Sequence, residues 1–352
     1  MGSRYDLTRD ALATLLGGSP RYRTDQIWEA LYQRGASPEE MTNLPQLLRR
    51  RLAEHPSFQA ALEQVHVSVS DGGDTAKWLW KLVDGREVET VLMHYPGRST
   101  VCVSSQAGCA MACSFCATGQ AGFDRNLSTG EIVEQVVRAR RVAAEAGRRL
   151  SNVVFMGMGE PLANYDRTWE AVERVHADLG LSARHITVST VGVVPGIRRL
   201  AAESLPVTLA VSLHAANDPL REQLVPLNRR YPLADLEAAC AEYLAAGGRR
   251  MSIEWALIDD VNDRYSDATE LAAIARRLGA HVNLIPLNRT PGFATLGTAT
   301  QDVRTFREWL TALGVNATVR RNRGNDIDAA CGQLRATAGS GRRTIPVQAL
   351  SD

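Results

Sequence analysis

The chain has 352 residues, 45% of them hydrophobic and 22% charged, which is long enough to bury one large core and a smaller one. No apolar run reaches the roughly 18 residues of a membrane span. The first ten residues, MGSRYDLTRD, also lack the apolar segment of a signal peptide. The 40 basic and 39 acidic side chains neither require nor exclude a polyanionic partner. We therefore expect a cytoplasmic protein that makes no membrane contact and keeps its six cysteines free of a disulfide framework.

The first 94 residues divide into two patterns. Residues 1–62 have the periodicity of short amphipathic helices, interrupted by paired glycines and by Pro45, and predict a small N-terminal helical accessory domain. Residues 63–94 instead alternate apolar and polar side chains, as at 65–69 and 78–82, with Asp-Gly turns between the runs. This alternation predicts a short antiparallel sheet that leads into the rest of the chain.

From residue 95 to residue 335, apolar runs alternate with helical segments. Runs rich in Val, Ile and Leu predict parallel strands that are buried on both faces. We expect an α/β fold, a partial (β/α)6 barrel whose functional groups lie at the carboxyl ends of its strands. A doubly wound open sheet is the alternative, and residues 336–352 are expected to form a C-terminal tail. The apolar runs cover residues 101–103, 153–155, 186–188, 207–211, 253–255, 282–284 and 315–319.

Three cysteines with CxxxCxxC spacing, Cys109, Cys113 and Cys116, form the most informative motif of the chain. Three thiolates can bind three irons of a [4Fe–4S] cluster and leave the fourth iron open to the amino and carboxylate groups of S-adenosylmethionine. An electron from such a cluster breaks a carbon–sulfur bond of that molecule and releases a 5′-deoxyadenosyl radical. The alternatives are a buried apolar cluster of cysteines and a four-coordinate zinc site, and the zinc site needs a further ligand that the motif does not supply nearby.

Polar residues and glycines follow four of the predicted barrel strands. A glycine permits close approach of a ligand to the backbone, and a glutamate accepts hydrogen bonds from an ammonium group. Serine, histidine and asparagine at strand ends suit ribose hydroxyls and a carboxylate. Each residue alone is more often a satisfied core residue, but four such strand ends beside an open cluster predict a cofactor site. The predicted cofactor-binding residues are Gly159, Glu160, Ser189, Ser212, Leu213, His214 and Asn288.

Arginines are grouped at four places in the chain. Groups of this kind bind phosphates when they gather on one face, whereas each alone is more often a solvated helix end or loop. They are therefore candidates for contacts with a nucleic acid, together with the N-terminal helices. The four groups are 49–51, 229–230, 320–321 with Arg323, and 342–343.

Two cysteines outside the cluster motif complete a recognisable set. Cys102 stands seven residues before the first cluster cysteine, and Cys331 lies in the segment DIDAACGQ at 326–333. With these, the chain resembles the RlmN/Cfr family of radical S-adenosylmethionine RNA methyltransferases over nearly its whole length. One departure is Arg289, where many relatives have proline directly after Asn288. The other matching segments are 88–93, 102–119, 126–127, 157–161, 188–190, 212–215, 284–288 and 323–334.

The resemblance implies a catalytic role for three residues. Cys331 takes a methyl group from one S-adenosylmethionine, and the radical from a second molecule removes a hydrogen from that methyl group. The methylene radical adds to an adenine carbon, and Glu89 is the candidate base that takes the proton lost from that carbon. Cys102 then attacks the Cys331 sulfur and releases the methylated adenosine, as thiol exchange chemistry permits.

The resemblance also implies the partners. They are 23S ribosomal RNA and transfer RNA, methylated at C2 of an adenosine, with a flavodoxin-like electron donor and a thiol reductant. Methylation at C8 is the alternative within the family, and the Arg323-Gly324 pair resembles the C2 enzymes more closely. A zinc-stabilised RNA-binding protein without enzymatic activity is the alternative from another class.

Overall fold

The parallel strands of the barrel follow the apolar runs of the sequence. The computed structural model describes residues 2–247, 249–290, 292–293, 295–320 and 323–334; the expected tail, Arg321, Arg342 and Arg343 lie outside them. Each of the seven runs overlaps a strand, and every one of these strands except the short, partly exposed β12 has buried core side chains, which confirms the α/β barrel. These strands are β4 (Arg98–Cys102), β7 (Leu150–Phe155), β8 (Ile186–Thr190), β9 (Thr208–Ser212), β10 (Arg250–Leu257), β11 (His281–Pro286) and the short β12 (Ala317–Val319).

The order of the strands decides between the two folds that the sequence left open. The seven strands β4, β7, β8, β9, β10, β11 and β12 lie side by side in the sheet in the same order as in the chain. Each of them is parallel to its neighbour. A doubly wound sheet reverses its strand order at a switch point, and this sheet does not. All carboxyl ends of the parallel strands therefore meet at one rim.

Eight further helices connect the strands of the barrel. The longest, α5, begins with a capping box in which Ser128 and Glu131 satisfy each other's backbone N–H groups. Its buried apolar side chains, Ile132, Val133, Val136 and Val137, lie in the core, and the helix packs against β4 and β7. The eight helices are α4 (Ala117–Ala121), α5 (Thr129–Glu145), α6 (Tyr165–Ala177), α7 (Val194–Ala202), α8 (Asp218–Leu224), α9 (Leu233–Ala245), α10 (Tyr265–Leu278) and α11 (Thr300–Ala312).

Three antiparallel strands extend the barrel sheet at one side. They are β1 (Leu62–Ser70), β2 (Thr75–Leu82) and β3 (Glu87–Tyr95), and β3 pairs with β4, so the predicted antiparallel segment belongs to the same ten-stranded sheet. Lys77 pairs with Val91 and Val91 with Cys102. Because directly paired side chains share a face, these three residues form one row on a single face of the sheet.

The N-terminal helices pack against the barrel. They are α1 (Arg9–Leu16), α2 (Tyr22–Arg34) and α3 (Gln46–Glu54). Trp28 donates from its indole N–H to Asp178, 2.8 Å away, and the Arg174 guanidinium donates to the carbonyl groups of Tyr5 and Leu7. These contacts hold α2 on the outer layer of helices. No helix in the described ranges combines the length and apolar character of a membrane span.

Candidate active site

The loop with the CxxxCxxC motif is held in place by its backbone. The strand β5 (Gln106–Gly108) precedes the loop and β6 (Phe123–Asn126) follows it, and the two strands pair as an antiparallel ribbon. Gly108 has φ +75°, and a Cβ there would lie 2.2 Å from the Gly122 carbonyl oxygen, so glycine is required at this crossing. The Cys109 N–H donates to the same carbonyl, and the Cys116 carbonyl accepts from the first turn of α4.

The three cysteines of that loop line one wall of a single cavity. Burial raises the pKa of Cys109 to about 12 and that of Cys113 well above its usual value, so the bare thiols are protonated and binding of iron displaces their protons. Within the described residues, no three ligand side chains converge on a point suited to one metal ion. Thiolate sulfurs are the usual protein ligands of a [4Fe–4S] cluster, so three cysteines that line one cavity fit that cluster by the chemistry of their donors.

That cavity opens at the carboxyl rim of the barrel and has about 150 Å³ of space for the centres of water-sized molecules. Most residues predicted to bind the cofactor border it. Leu213 is different, because its neighbours face the cavity while its own buried side chain packs into the core. The predicted residues on the cavity wall are Gly159, Glu160, Ser189, Ser212, His214 and Asn288.

Glu160 is a buried carboxylate at the end of the β7 loop. Its two oxygens accept from the backbone N–H groups of Leu162 and Val191, at 3.0 and 2.9 Å. Burial raises its pKa to about 7, while those two N–H donors oppose the rise. Next to it, Gly159 has φ +100°, and a Cβ there would clash with Gln106. The arrangement fixes one carboxylate beside the cysteine wall, where it can accept from an ammonium group.

The ends of β8 and β9 contribute a serine and a histidine. The Ser189 hydroxyl donates to the Phe155 carbonyl, 2.6 Å away. His214 has φ +60°, and its Nδ1 accepts from the Ala256 N–H at 2.9 Å. Burial lowers the pKa of His214 to about 3, so the ring stays neutral as this hydrogen bond requires. Phe115 contacts this ring edge-on, with 4.7 Å between ring centroids, and joins the cysteine loop to β9.

The segment that carries Cys331 closes the cavity from the other side. Asn288 donates from its side-chain nitrogen to the Cys331 carbonyl oxygen, 3.1 Å away. The backbone N–H of Ala117, directly after the third cluster cysteine, donates to the Gly332 carbonyl at 2.8 Å. These contacts join the segment to both the cysteine loop and the end of β11, and they place Cys331 on the cavity wall.

Cys331 also borders a second, smaller cavity, and Cys102 lines that cavity as well. Met156 and Arg320 line both cavities. Burial raises the pKa of the Cys102 thiol to about 12, and nearby Cys331 adds to the rise while Arg320 opposes it. The structure thus brings the two lone cysteines of the sequence to one cavity, with a guanidinium beside them.

Glu89 is buried on β3 and is not on the wall of either cavity among the described residues. Its Oε1 lies 2.6 Å from the Nζ of Lys77, which is buried as well. By strand register, Glu89 lies on the same face of the sheet as Val91 and Cys102. Glu89 is two residues closer than Val91 to the carboxyl rim of the barrel. The Ser104 hydroxyl donates to its backbone carbonyl at 2.6 Å.

Two of the arginines proposed for phosphate contacts have other partners. Arg320 lies beside both lone cysteines, and the charge of Cys331 is the main cause that raises its pKa. Arg323 lies 3.6 Å from Asp74 and packs over the ring of Tyr95. The sequence did not reveal the partners of Arg320, because its position at the rim of the barrel depends on the short strand β12 that directly precedes it. Arg50, by contrast, is exposed on α3.

The comparisons with known proteins agree with this geometry. Residues 103–272 match the model of the radical SAM superfamily. A protein of Parafrankia sp. named probable dual-specificity RNA methyltransferase RlmN is 54% identical, over 94% of this chain and 91% of its own. A Myxococcus xanthus protein named dual-specificity RNA methyltransferase RlmN 1 is 49% identical over 98% of both chains. The chain belongs to the RlmN family of dual-specificity RNA methyltransferases.

A solved structure supports the same fold. The radical SAM methyltransferase from Sphaerobacter thermophilus matches with a TM-score of 0.93 and 51% identity, over 96% of this chain and all of the other. As a radical SAM member of the RlmN family, the protein uses a [4Fe–4S] cluster and S-adenosylmethionine, and its substrate is RNA. Family membership also excludes the zinc-stabilised protein without enzymatic activity.

Proposed function

We propose that this enzyme methylates C2 of an adenosine in 23S ribosomal RNA and of the adenosine 3′ to the anticodon in transfer RNA. One observation carries the proposal: Cys331 borders the cofactor cavity on one side and the cavity of Cys102 on the other. A thiol in that position is within reach of a methyl donor first and of a second thiol later. An enzyme that transferred its methyl group directly to RNA would have no use for either cysteine.

Cys331 acts first in the proposed sequence. Its thiolate attacks the methyl carbon of one S-adenosylmethionine, a carbon–sulfur bond forms, and the sulfonium leaves as the neutral thioether. The [4Fe–4S] cluster and a second S-adenosylmethionine, when bound, would supply the radical that removes one hydrogen atom from the new S-methyl group. Glu160, Ser189, His214 and Asn288 hold the donor in the cavity, and the neutral His214 adds no charge to repel its sulfonium.

Glu89 and Cys102 complete the reaction on the other side of the segment. The methylene radical on Cys331 adds to C2, and the adduct loses a proton to Glu89; the cluster, when bound, would take up the electron that is lost with it. The Cys102 thiolate then attacks the Cys331 sulfur, the carbon–sulfur bond to the base breaks, and the released carbon takes up a proton. A disulfide between Cys102 and Cys331 remains, and an external thiol reductant opens it.

RNA and the electron donor reach the site from outside the barrel. The target adenine must leave its stack to enter the rim, which costs a few kcal/mol and is offset by phosphate contacts. We assign those contacts to the N-terminal helices of residues 1–62 and to exposed arginines such as Arg50 and Arg229. A flavodoxin-like protein supplies the electrons that reduce the cluster.

Nucleoside analysis tests the proposal. Reconstituted enzyme is incubated with reductant, S-adenosylmethionine and either 23S ribosomal RNA fragments or transfer RNA lacking the modification, and digests are resolved by mass spectrometry. We expect 2-methyladenosine from both RNAs. Accumulation of 8-methyladenosine instead would assign the C8 activity, and absence of any methylated adenosine from transfer RNA would restrict the enzyme to the ribosome.

A further inference from the structure

The lysines of this chain are unusually few, and one of them is buried. Among 40 basic residues only Lys77 and Lys81 are lysines, and all the others are arginines. Lys81 is half exposed and lies 3.8 Å from the exposed Glu63. Lys77 lies four residues earlier on the same strand, β2, and only 6% of its side chain is exposed. A chain that uses arginine almost everywhere thus has a lysine at this buried position.

Lys77 contacts two parts of the active site. Its Nζ lies 2.6 Å from Glu89 Oε1 and donates to the backbone carbonyl of Asp328 at 3.2 Å. Asp328 is three residues before Cys331 and has φ +49°, in the left-handed region that residues other than glycine adopt less often. One ammonium group therefore joins the proposed base to the segment of the methyl-carrying cysteine.

Two further contacts hold the Cys331 segment on the hairpin formed by β1 and β2. The Ser70 hydroxyl donates to the Asp326 carboxylate, and the Gly324 N–H donates to the Asp71 carboxylate at 3.2 Å. Both partners lie at the turn between β1 and β2. The Cys331 segment is thus seated on the β1–β2 hairpin at one end and on the cysteine loop at the other.

Stability does not explain the ion pair between Lys77 and Glu89. Both side chains leave water, and a well-packed apolar pair in place of a buried ion pair is often neutral or stabilising. Arginine does not replace lysine here on equal terms, because its planar guanidinium is larger and spreads its donors in a fixed fork. A compact ammonium can instead direct separate N–H donors to a carboxylate and to a carbonyl on different elements.

We propose that Lys77 is a positioning residue that holds the Glu89 carboxylate in register with the Cys331 segment, so that the base faces C2 when the methylene group on Cys331 has added there. This inference rests on the proposed role of Glu89. In that step the C2 proton passes to Glu89, and the cluster, when bound, would take up the electron that is lost with it. Lys77 lines neither of the two cavities among the described residues, so it acts through Glu89.

The test compares four variants of the full-length, cluster-loaded enzyme: Lys77→Gln, Glu89→Gln, the double variant, and Lys81→Gln as the matched control. Three quantities are measured in each: methylation of Cys331 by mass spectrometry, formation of methylated adenosine, and the RNA-bound radical adduct by freeze-quench electron paramagnetic resonance. Methylation of Cys331 reports on the cofactor side, because that side of the segment is held by Asn288 and Ala117.

We expect Lys77→Gln to retain Cys331 methylation but to form product about 10- to 100-fold more slowly, the scale of one hydrogen bond to a charged group. The radical adduct should accumulate in it as in Glu89→Gln, because proton loss is delayed in both. The double variant should be no slower than Glu89→Gln alone, since residues that act through one another give non-additive losses. Lys81→Gln should equal the native enzyme.

Several outcomes overturn the inference. Native rates in Lys77→Gln would do so, as would a parallel loss of Cys331 methylation, which indicates general misfolding of the segment. If Lys77→Gln alone fails to fold, the double variant decides, because it removes both buried charges: a further drop below Glu89→Gln shows that Lys77 acts separately. Native turnover in Glu89→Gln would instead refute the base assigned under the proposed function.

Discussion

One sheet supplies two kinds of chemistry from two differently built regions. The parallel strands from β4 to β12 end at a common rim, and the cofactor cavity lies at that rim with the three cluster cysteines on its wall. The antiparallel strands β1 to β3 contribute no residue to that wall within the described chain, and instead hold Glu89, Lys77 and the hairpin that seats the Cys331 segment. Under the proposed function, radical generation and base chemistry are therefore assigned to separate parts of the sheet.

The difference follows from how strands of each kind present their side chains. Parallel strands all bring their carboxyl ends to one edge, which suits the assembly of a ligand site from several loops. Antiparallel neighbours hold the side chains of one face in a fixed register, and here that register brings Lys77 and Glu89 together as diagonal neighbours. The Cys331 segment lies between the two regions and has contacts with both.

Loss of the cluster should have the largest effect. Replacement of Cys109, Cys113 or Cys116 by Ala removes one of the three thiolates, so iron content, cluster absorbance and S-adenosylmethionine cleavage should fall below detection. Cys240→Ala is the matched control, since Cys240 is buried in α9 and borders neither described cavity. Full cluster and cleavage in all three variants would contradict the assignment of the motif.

Removal of Cys331, the proposed methyl carrier, should have the next largest effect and should leave cofactor cleavage intact while it stops methylation. Cys331→Ala should keep the cluster and cleave S-adenosylmethionine, yet yield neither methylated protein nor methylated adenosine. Mass spectrometry of the intact protein and of nucleosides checks both expectations. Methylated adenosine from this variant would show that the methyl group does not pass through Cys331.

Removal of the second thiol should stop the reaction only at its end. Cys102→Ala should still methylate Cys331 and attack RNA but should not release it, because no thiol remains in the smaller cavity to attack the Cys331 sulfur. A denaturing gel of protein isolated from cells should show a slow band that ribonuclease removes. A single free-protein band with normal product would mean that Cys102 only packs.

The smallest effect should come from Asn288, which joins the end of β11 to the Cys331 segment. Asn288→Ala removes the donor to the Cys331 carbonyl and one polar group of the cavity wall. We expect S-adenosylmethionine to bind about three- to tenfold more weakly, the scale of one neutral hydrogen bond. Isothermal titration calorimetry under anaerobic conditions measures it, with the exposed Asn316→Ala as control. Unchanged affinity would remove Asn288 from the cofactor site.

The sequence by itself determined the barrel and most of its cofactor rim. Apolar runs with little alternation are what strands buried on both faces require, so the strands around Val153 and Ile186 were visible without coordinates. The CxxxCxxC spacing is local, since all three ligands lie on one short loop. Glycines and polar residues directly after strands predicted the rim, because a parallel barrel brings every strand end to the same side.

Only the tertiary structure decided which distant residues meet. Lys77 and Glu89 are ordinary members of an alternating pattern, and their ion pair depends on the register of two strands. Arg320 had been grouped with surface arginines, but it lies between the two cavities beside Cys102 and Cys331. Periodicity reports which face of its own element a side chain occupies. The partner across that face is set by strand register and loop closure, which couple residues far apart in the chain and leave no local signal in it.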